Sequence, residues 1–210
     1  MGKRDFKRKT ESRRQNPRFL IVSEGAVTER QYLEAVKRSG RIPDVNLKLD
    51  DPPPTSPKEI VKKARDLKKE ARKDDPYDAV WCVFDVEAKV SQNARPGLVE
   101  AIQMAKANKI FIALSNPCFE LWILLHEKQH TAAIYSEDVR HACSSLGLVE
   151  GKHICNPDQL LNNCQIAIQR AKDLDVMHQG NETDKHEDQN PSSGVYKLVE
   201  AIYKAFPPRS

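Results

Sequence analysis

Three acidic side chains stand at the ends of apolar runs, a placement suited to metal-assisted chemistry on phosphate. Glu24 follows R-F-L-I-V-S, Asp85 closes D-A-V-W-C-V-F-D, and Glu87 lies just beyond it. Carboxylates are hard oxygen donors of the kind Mg²⁺ and Mn²⁺ take. Gathered at one edge without a cation, such groups repel and raise one another's pKa. A divalent ion relieves that repulsion and can activate water for attack at phosphorus. Glu24 has a second reading, as an acid favoured by the dipole of a following helix N-terminus.

Two further groupings bear on chemistry. Ser115-Asn116-Pro117 falls where an apolar strand gives way to a helix, with Pro117 preset for the first turn. The free N–H groups there could face a phosphate, or the segment could simply start the helix. His126-Glu127-Lys128-Gln129-His130 is a literal H-E-x-x-H, which on a helix turns both histidines toward one zinc, with Glu150 as a distant third ligand. Phe119 and Trp122, set among Leu121, Ile123, Leu124 and Leu125, read as core rather than base-stacking residues. His126 reads first as a satisfied, partly buried histidine and second as a catalytic or phosphate-contacting one.

Elements must position these groups. Arg18–Ser23 is a short buried strand, and Thr28 with Gln31 fits a capping box opening a helix to Ser39. Val45, Leu47 and Leu49 alternate as a half-exposed strand, and Pro52-Pro53-Pro54 is an extended linker. Ser56, Pro57 and Glu59 start a lysine-clad helix with the buried stripe Ile60, Ala64, Leu67 and Ala71. A strand over Asp78–Asp85, a helix over 97–108 and a strand over Ile110–Leu114 follow. Helices are predicted over Phe119–His130 and near 136–146, 157–174 and 194–206, with a polar loop over 178–191. Alternating strands and helices argue for a parallel, helix-covered sheet, in which ligands gather at the carboxyl ends of the strands. That edge is where Glu24, Asp85, Glu87, Ser115 and Asn116 fall.

The 210 residues suffice for one substantial α/β domain with a helical extension, and 30% charged residues with mean hydropathy −0.64 describe a polar surface. No apolar run long enough to span a membrane and no leader-like apolar stretch occurs, so a cytoplasmic chain is expected. Five cysteines without a C-x-x-C pair read as reduced thiols. Net charge is +4, unevenly placed. Within residues 1–18, Lys3, Arg4, Lys7, Arg8, Lys9, Arg13, Arg14 and Arg18 oppose only Asp5 and Glu11, a balance of +6 that leaves −2 for the rest. Such an arm, over residues 1–17, suits a nucleic-acid partner through counterion release, or else is a solubilising tail.

E-G-A-V-T-E (Glu24–Glu29) after an apolar strand resembles the opening signature of RloB-like proteins. V-W-C-V-F-D-V-E (Val80–Glu87), L-S-N-P-C-F-E-L-W-I-L-L-H (Leu114–His126) and N-P-S-S (Asn190–Ser193) are similar to that family's later blocks. The resemblance implies a TOPRIM-like, Rossmann-like parallel sheet over 18–130, with 131–210 a helical extension packed on it. It implies that Glu24 is the lone TOPRIM glutamate, binding metal or shuttling a proton. Asp85 and Glu87 take the place of the family's D-x-D, with glutamate departing from the second acid. Glu29 and Glu120 are secondary candidates, as supplementary ligands or anchors.

The function so implied is Mg²⁺- or Mn²⁺-dependent cleavage of DNA or RNA, in a phage-defence system with a partner AAA-type ATPase. The alternatives are nucleotidyl transfer, as in primases, or a regulatory subunit that binds nucleic acid without cutting it. The H-E-x-x-H lies at the end of a block matched to RloB-like proteins, which speaks against a zinc protease.

Overall fold

The computed structural model describes residues 16–44, 46–50, 56–71, 75–86, 97–181 and 188–208. Glu87, the basic residues from Lys3 to Arg14, Val45 and Pro52-Pro53-Pro54 lie outside them.

Short runs of Val, Ile, Leu and aromatic residues bounded by polar turns make strands, and here they make a sheet buried on both faces. The first strands and helices are β1 (Phe19–Ser23), α1 (Thr28–Ser39), β2 (Leu47–Leu49), α2 (Pro57–Glu70) and β3 (Ala79–Asp85). They are followed by α3 (Leu98–Ala107), β4 (Phe111–Asn116) and α4 (Glu120–Glu127). These four strands are parallel in the order β2-β1-β3-β4. Side-chain alternation sends Phe19, Ile21, Trp81 and Val83 to the face covered by α1 and α4. Leu20, Val22, Val80, Cys82 and Phe84 face α2 and α3. This is a doubly wound, Rossmann-like α/β sheet, with its topological switch between β1 and β3.

The remaining chain is α5 (Ser136–Ser145), a hairpin of β5 (Val149–Glu150) and β6 (His153–Ile154), α6 (Pro157–Leu160), α7 (Cys164–Gly180), β7 (Ser192–Ser193) and α8 (Val195–Ala205). Val195, Leu198, Val199 and Ile202 of α8 and Ala167, Ala171 and Leu174 of α7 join the α1/α4 core. The strand β7 adds antiparallel to β4 as the sheet's fifth strand. Gly194 follows it so closely against Leu114, whose carbonyl accepts its N–H at 2.7 Å, that a side chain there would press on the β4 backbone.

Several expectations are corrected. Thr28 and Gln31 form no capping box. The hydroxyl of Thr28 donates to the Lys152 carbonyl at 2.7 Å, and Gln31 takes the Ile154 N–H on Oε1 at 2.8 Å. Helix α4 stops at Glu127 because Lys128 turns extended. Pro117 follows a cis peptide bond and precedes the helix rather than opening it, while Ser115 and Asn116 are the last residues of β4. The helix expected over 157–174 is broken by a 3-10 turn at Leu161–Asn163, and its second part continues to Gly180, into the expected loop. The start of α2 forms as expected, with the Ser56 hydroxyl accepting the Glu59 N–H.

Candidate active site at the carboxyl edge of the sheet

The switch between β1 and β3 places two acids on neighbouring strands. Glu24 directly follows β1 and continues its ladder, donating its N–H to the Val83 carbonyl at 2.9 Å. Asp85 is the last residue of β3, in register with Ser115 of β4. The first turn of α1 supplies Glu29 and the first turn of α4 supplies Glu120, each no more than 9% exposed. Four carboxylates from four elements therefore share one edge.

Their electrostatics follow from that crowding. Asp85 is pushed well above the usual carboxylate range, first by burial and then by Glu29, Glu120 and Glu24, against a hydrogen bond from the Phe119 N–H. Burial likewise raises Glu29 to about 7, opposed by a hydrogen bond to its own N–H, with Glu120 and Glu24 adding to the rise and Lys152 lowering it. Gly25 is what makes this packing possible. A side-chain carbon at residue 25 would overlap the Glu29 carboxylate, which is folded back over the turn.

Glu120 has a cationic neighbour, Arg140 of α5, whose Nε lies 3.8 Å from its Oε2. Cys143 donates its thiol to the Glu120 carbonyl, and burial raises that thiol to about 12. Cys118 is pushed higher still, by burial and then by Glu120 and Asp85. Both remain protonated thiols and supply no thiolate nucleophile. Ser115 and Ser193, paired across β4 and β7, are fully buried, and their hydroxyls meet no partner among the described residues. Asn116 is buried beside them at the end of β4.

The donor set fits a hard divalent cation, being all carboxylate oxygen and so crowded that Asp85 and Glu29 resist ionisation. Among the described residues no three Asp, Glu, His or Cys side chains stand in ready ligating geometry, so the edge gathers donors without closing a cage. Glu87 lies outside those residues.

The H-E-x-x-H is not a zinc site. His130 falls past the end of α4, so the two histidines do not share a helical face. His126 turns into the core, its Nδ1 against the Trp122 carbonyl at 2.9 Å and its Nε2 against the Tyr32 hydroxyl at 3.2 Å. Burial pulls its pKa down to about 4, so the ring is neutral and occupied. Glu150 is exposed on the β5–β6 hairpin.

Sequence reasoning passed over Lys152 and Arg140. The signal for the first was present: Gly151, at φ +61°, followed by Lys152 between Val149-Glu150 and His153-Ile154 is the glycine-first pattern of a two-residue hairpin turn. No local signal marks Arg140, because its neighbour Glu120 belongs to another helix.

The family model described as RloB-like protein matches residues 19–202. The chain belongs to the RloB-like family. No curated protein and no solved structure matches it.

Proposed function

We propose that this RloB-like protein is a divalent-metal-dependent nuclease of TOPRIM type, hydrolysing phosphodiester bonds in DNA or RNA. The observation that carries the reading is the convergence of Glu24, Asp85, Glu29 and Glu120 at the switch point of a doubly wound sheet. Glu24 and Asp85 would hold Mg²⁺ or Mn²⁺, with Glu87 beside them and Glu29 and Glu120 in support. The ion would supply charge neutralisation at the scissile phosphate and a water of lowered pKa. The chain's own part is to keep these oxygens at one edge, with Glu29 holding its proton more readily than an exposed carboxylate until a cation binds. Ser115 and Asn116, fully buried at the same edge, would support it rather than reach substrate. The basic arm would hold the polyanion, and a role in phage defence beside an AAA-type ATPase in the cytoplasm goes with the family.

The test is cleavage of labelled DNA and RNA with Mg²⁺ or Mn²⁺. Glu24→Gln and Asp85→Asn are each expected to lower the rate by about a thousandfold, the loss of one direct ligand at several kcal/mol. Thermal unfolding of both variants should stay cooperative. Cleavage undiminished by Glu24→Gln would overturn the assignment. Absent cleavage with undiminished binding in every variant would favour a nucleic-acid-binding subunit.

A further inference from the structure

A nuclease whose carboxylates crowd one edge presents negative charge where a polyanion must approach, so cations beside that edge have a part to play. Arg30 lies by the turn after β1, and two further cations, Arg140 and Lys152, come from one continuous stretch of chain. Arg140 of α5 lies against Glu120, and its side chain is 47% exposed. Helix α5 packs against β5 and leads into the hairpin, whose turn carries the exposed Lys152. Lys152 is near enough to Glu29 to favour that carboxylate's charged form.

The hairpin is sewn to the first turn of α1 rather than left free. The Thr28 hydroxyl binds the Lys152 carbonyl at 2.7 Å, Gln31 takes the Ile154 N–H at 2.8 Å, and its amide nitrogen meets His153 Nδ1 at 3.0 Å. Thr28 and Gln31 flank Glu29 on that same turn. The bonds fix the backbone of the turn, so only the exposed Lys152 side chain remains to be ordered when its ammonium takes an anion. Glu137 and Asp138 lie at the start of α5 and Glu150 on β5, so the stretch is no general basic patch.

We infer that the α5–hairpin unit, Ser136–Ile154, positions the nucleic-acid backbone over the carboxylate edge, with Lys152 and Arg140 each taking a phosphate. The inference rests on the nuclease reading for its substrate, and names the residues that reading lacks. Lys152 and Arg140 are positioning residues.

The test uses the full chain with fluorescent DNA and RNA oligonucleotides in Ca²⁺ across a salt series, and cleavage kinetics in Mg²⁺. Lys152→Glu should weaken binding at least tenfold and lower the salt slope by about one. It should raise KM with kcat within twofold, and Lys152→Arg should restore KM. Lys204→Glu, in the last turn of α8 beside Phe206 and so toward the opposite, amino edge where Phe206 meets Phe19, serves as control and should change neither. Arg140→Gln should also raise KM. Unchanged affinity, salt slope and KM in Lys152→Glu would overturn the inference while leaving the nuclease reading intact. Weakened binding without any metal-dependent cleavage would keep the hairpin's role and remove the nuclease. Failure of the wild type to bind either oligonucleotide would overturn it outright. Loss of binding that Lys152→Arg does not restore would show a structural effect and overturn it as well.

Discussion

Glu29 occupies the space a side chain on Gly25 would need, and this small fact organises the edge at the scale of single residues. Its pKa, raised from 4.5 to about 7, means that the folded chain binds a proton more tightly than the unfolded one between those values. The stabilisation is complete below the unfolded pKa and is lost as pH rises through the folded one, by about 3 kcal/mol in all. Denaturant unfolding without divalent ions should therefore show stability falling from pH 5 to pH 8. Glu29→Gln should remove its share of that slope and leave the share due to Asp85. Gly25→Ala should do the same, by driving the carboxylate into solvent. Because only the end of a flexible side chain moves, its stability at pH 8 should change by no more than about 1 kcal/mol. A pH slope equal to wild type in both variants would show that Glu29 is not the titrating group. The glycine and both glutamates were legible in E-G-A-V-T-E. What the motif could not show is that its two acids meet Asp85 and Glu120, which lie far along the chain.

Helices and strands decide which local patterns are real. Ser56, Pro57 and Glu59 act within one turn, and that start was readable because all its partners are adjacent. Thr28 and Gln31 carry the same kind of signature and serve another purpose, since their partners sit more than 120 residues away on β6 and its turn. A two-residue strand such as β5 or β7 leaves almost no periodicity to read. The H-E-x-x-H fails as a zinc pattern for the converse reason. Its spacing is helical, yet α4 ends at Glu127, and its first histidine is held between Tyr32 and Trp122. Purified protein should hold well under one zinc per chain by elemental analysis, and His130→Ala should leave unchanged whatever activity is found. One zinc per chain, lost with activity on that substitution, would reverse this reading.

Across the whole molecule the parallel, helix-covered sheet was inferable from alternating strands and helices, and Glu24 and Asp85, read at strand ends, do fall at its carboxyl edge. The fifth strand was not, because β7 joins through Ser192 and Ser193, residues with no apolar signature. Charge is divided on the same scale. Residues 1–18 carry +6 of a chain whose net is +4, while the described edge is acidic. Deleting residues 1–15, which spares Asn16 and Pro17 whose carbonyls accept the Asn46 amide, should weaken nucleic-acid binding and flatten its salt dependence, with the melting temperature nearly unchanged. An equal salt slope with and without the arm would make it a bystander.

The stitching of Gln31 to Ile154 also sets an order of events. A ribosome finishes α1 long before it makes the hairpin, and the loop closed between them spans more than half the chain. The edge is thus incomplete until the hairpin has been made. Were it to cut RNA, the transcript being translated would be out of danger until more than half of the chain had been made.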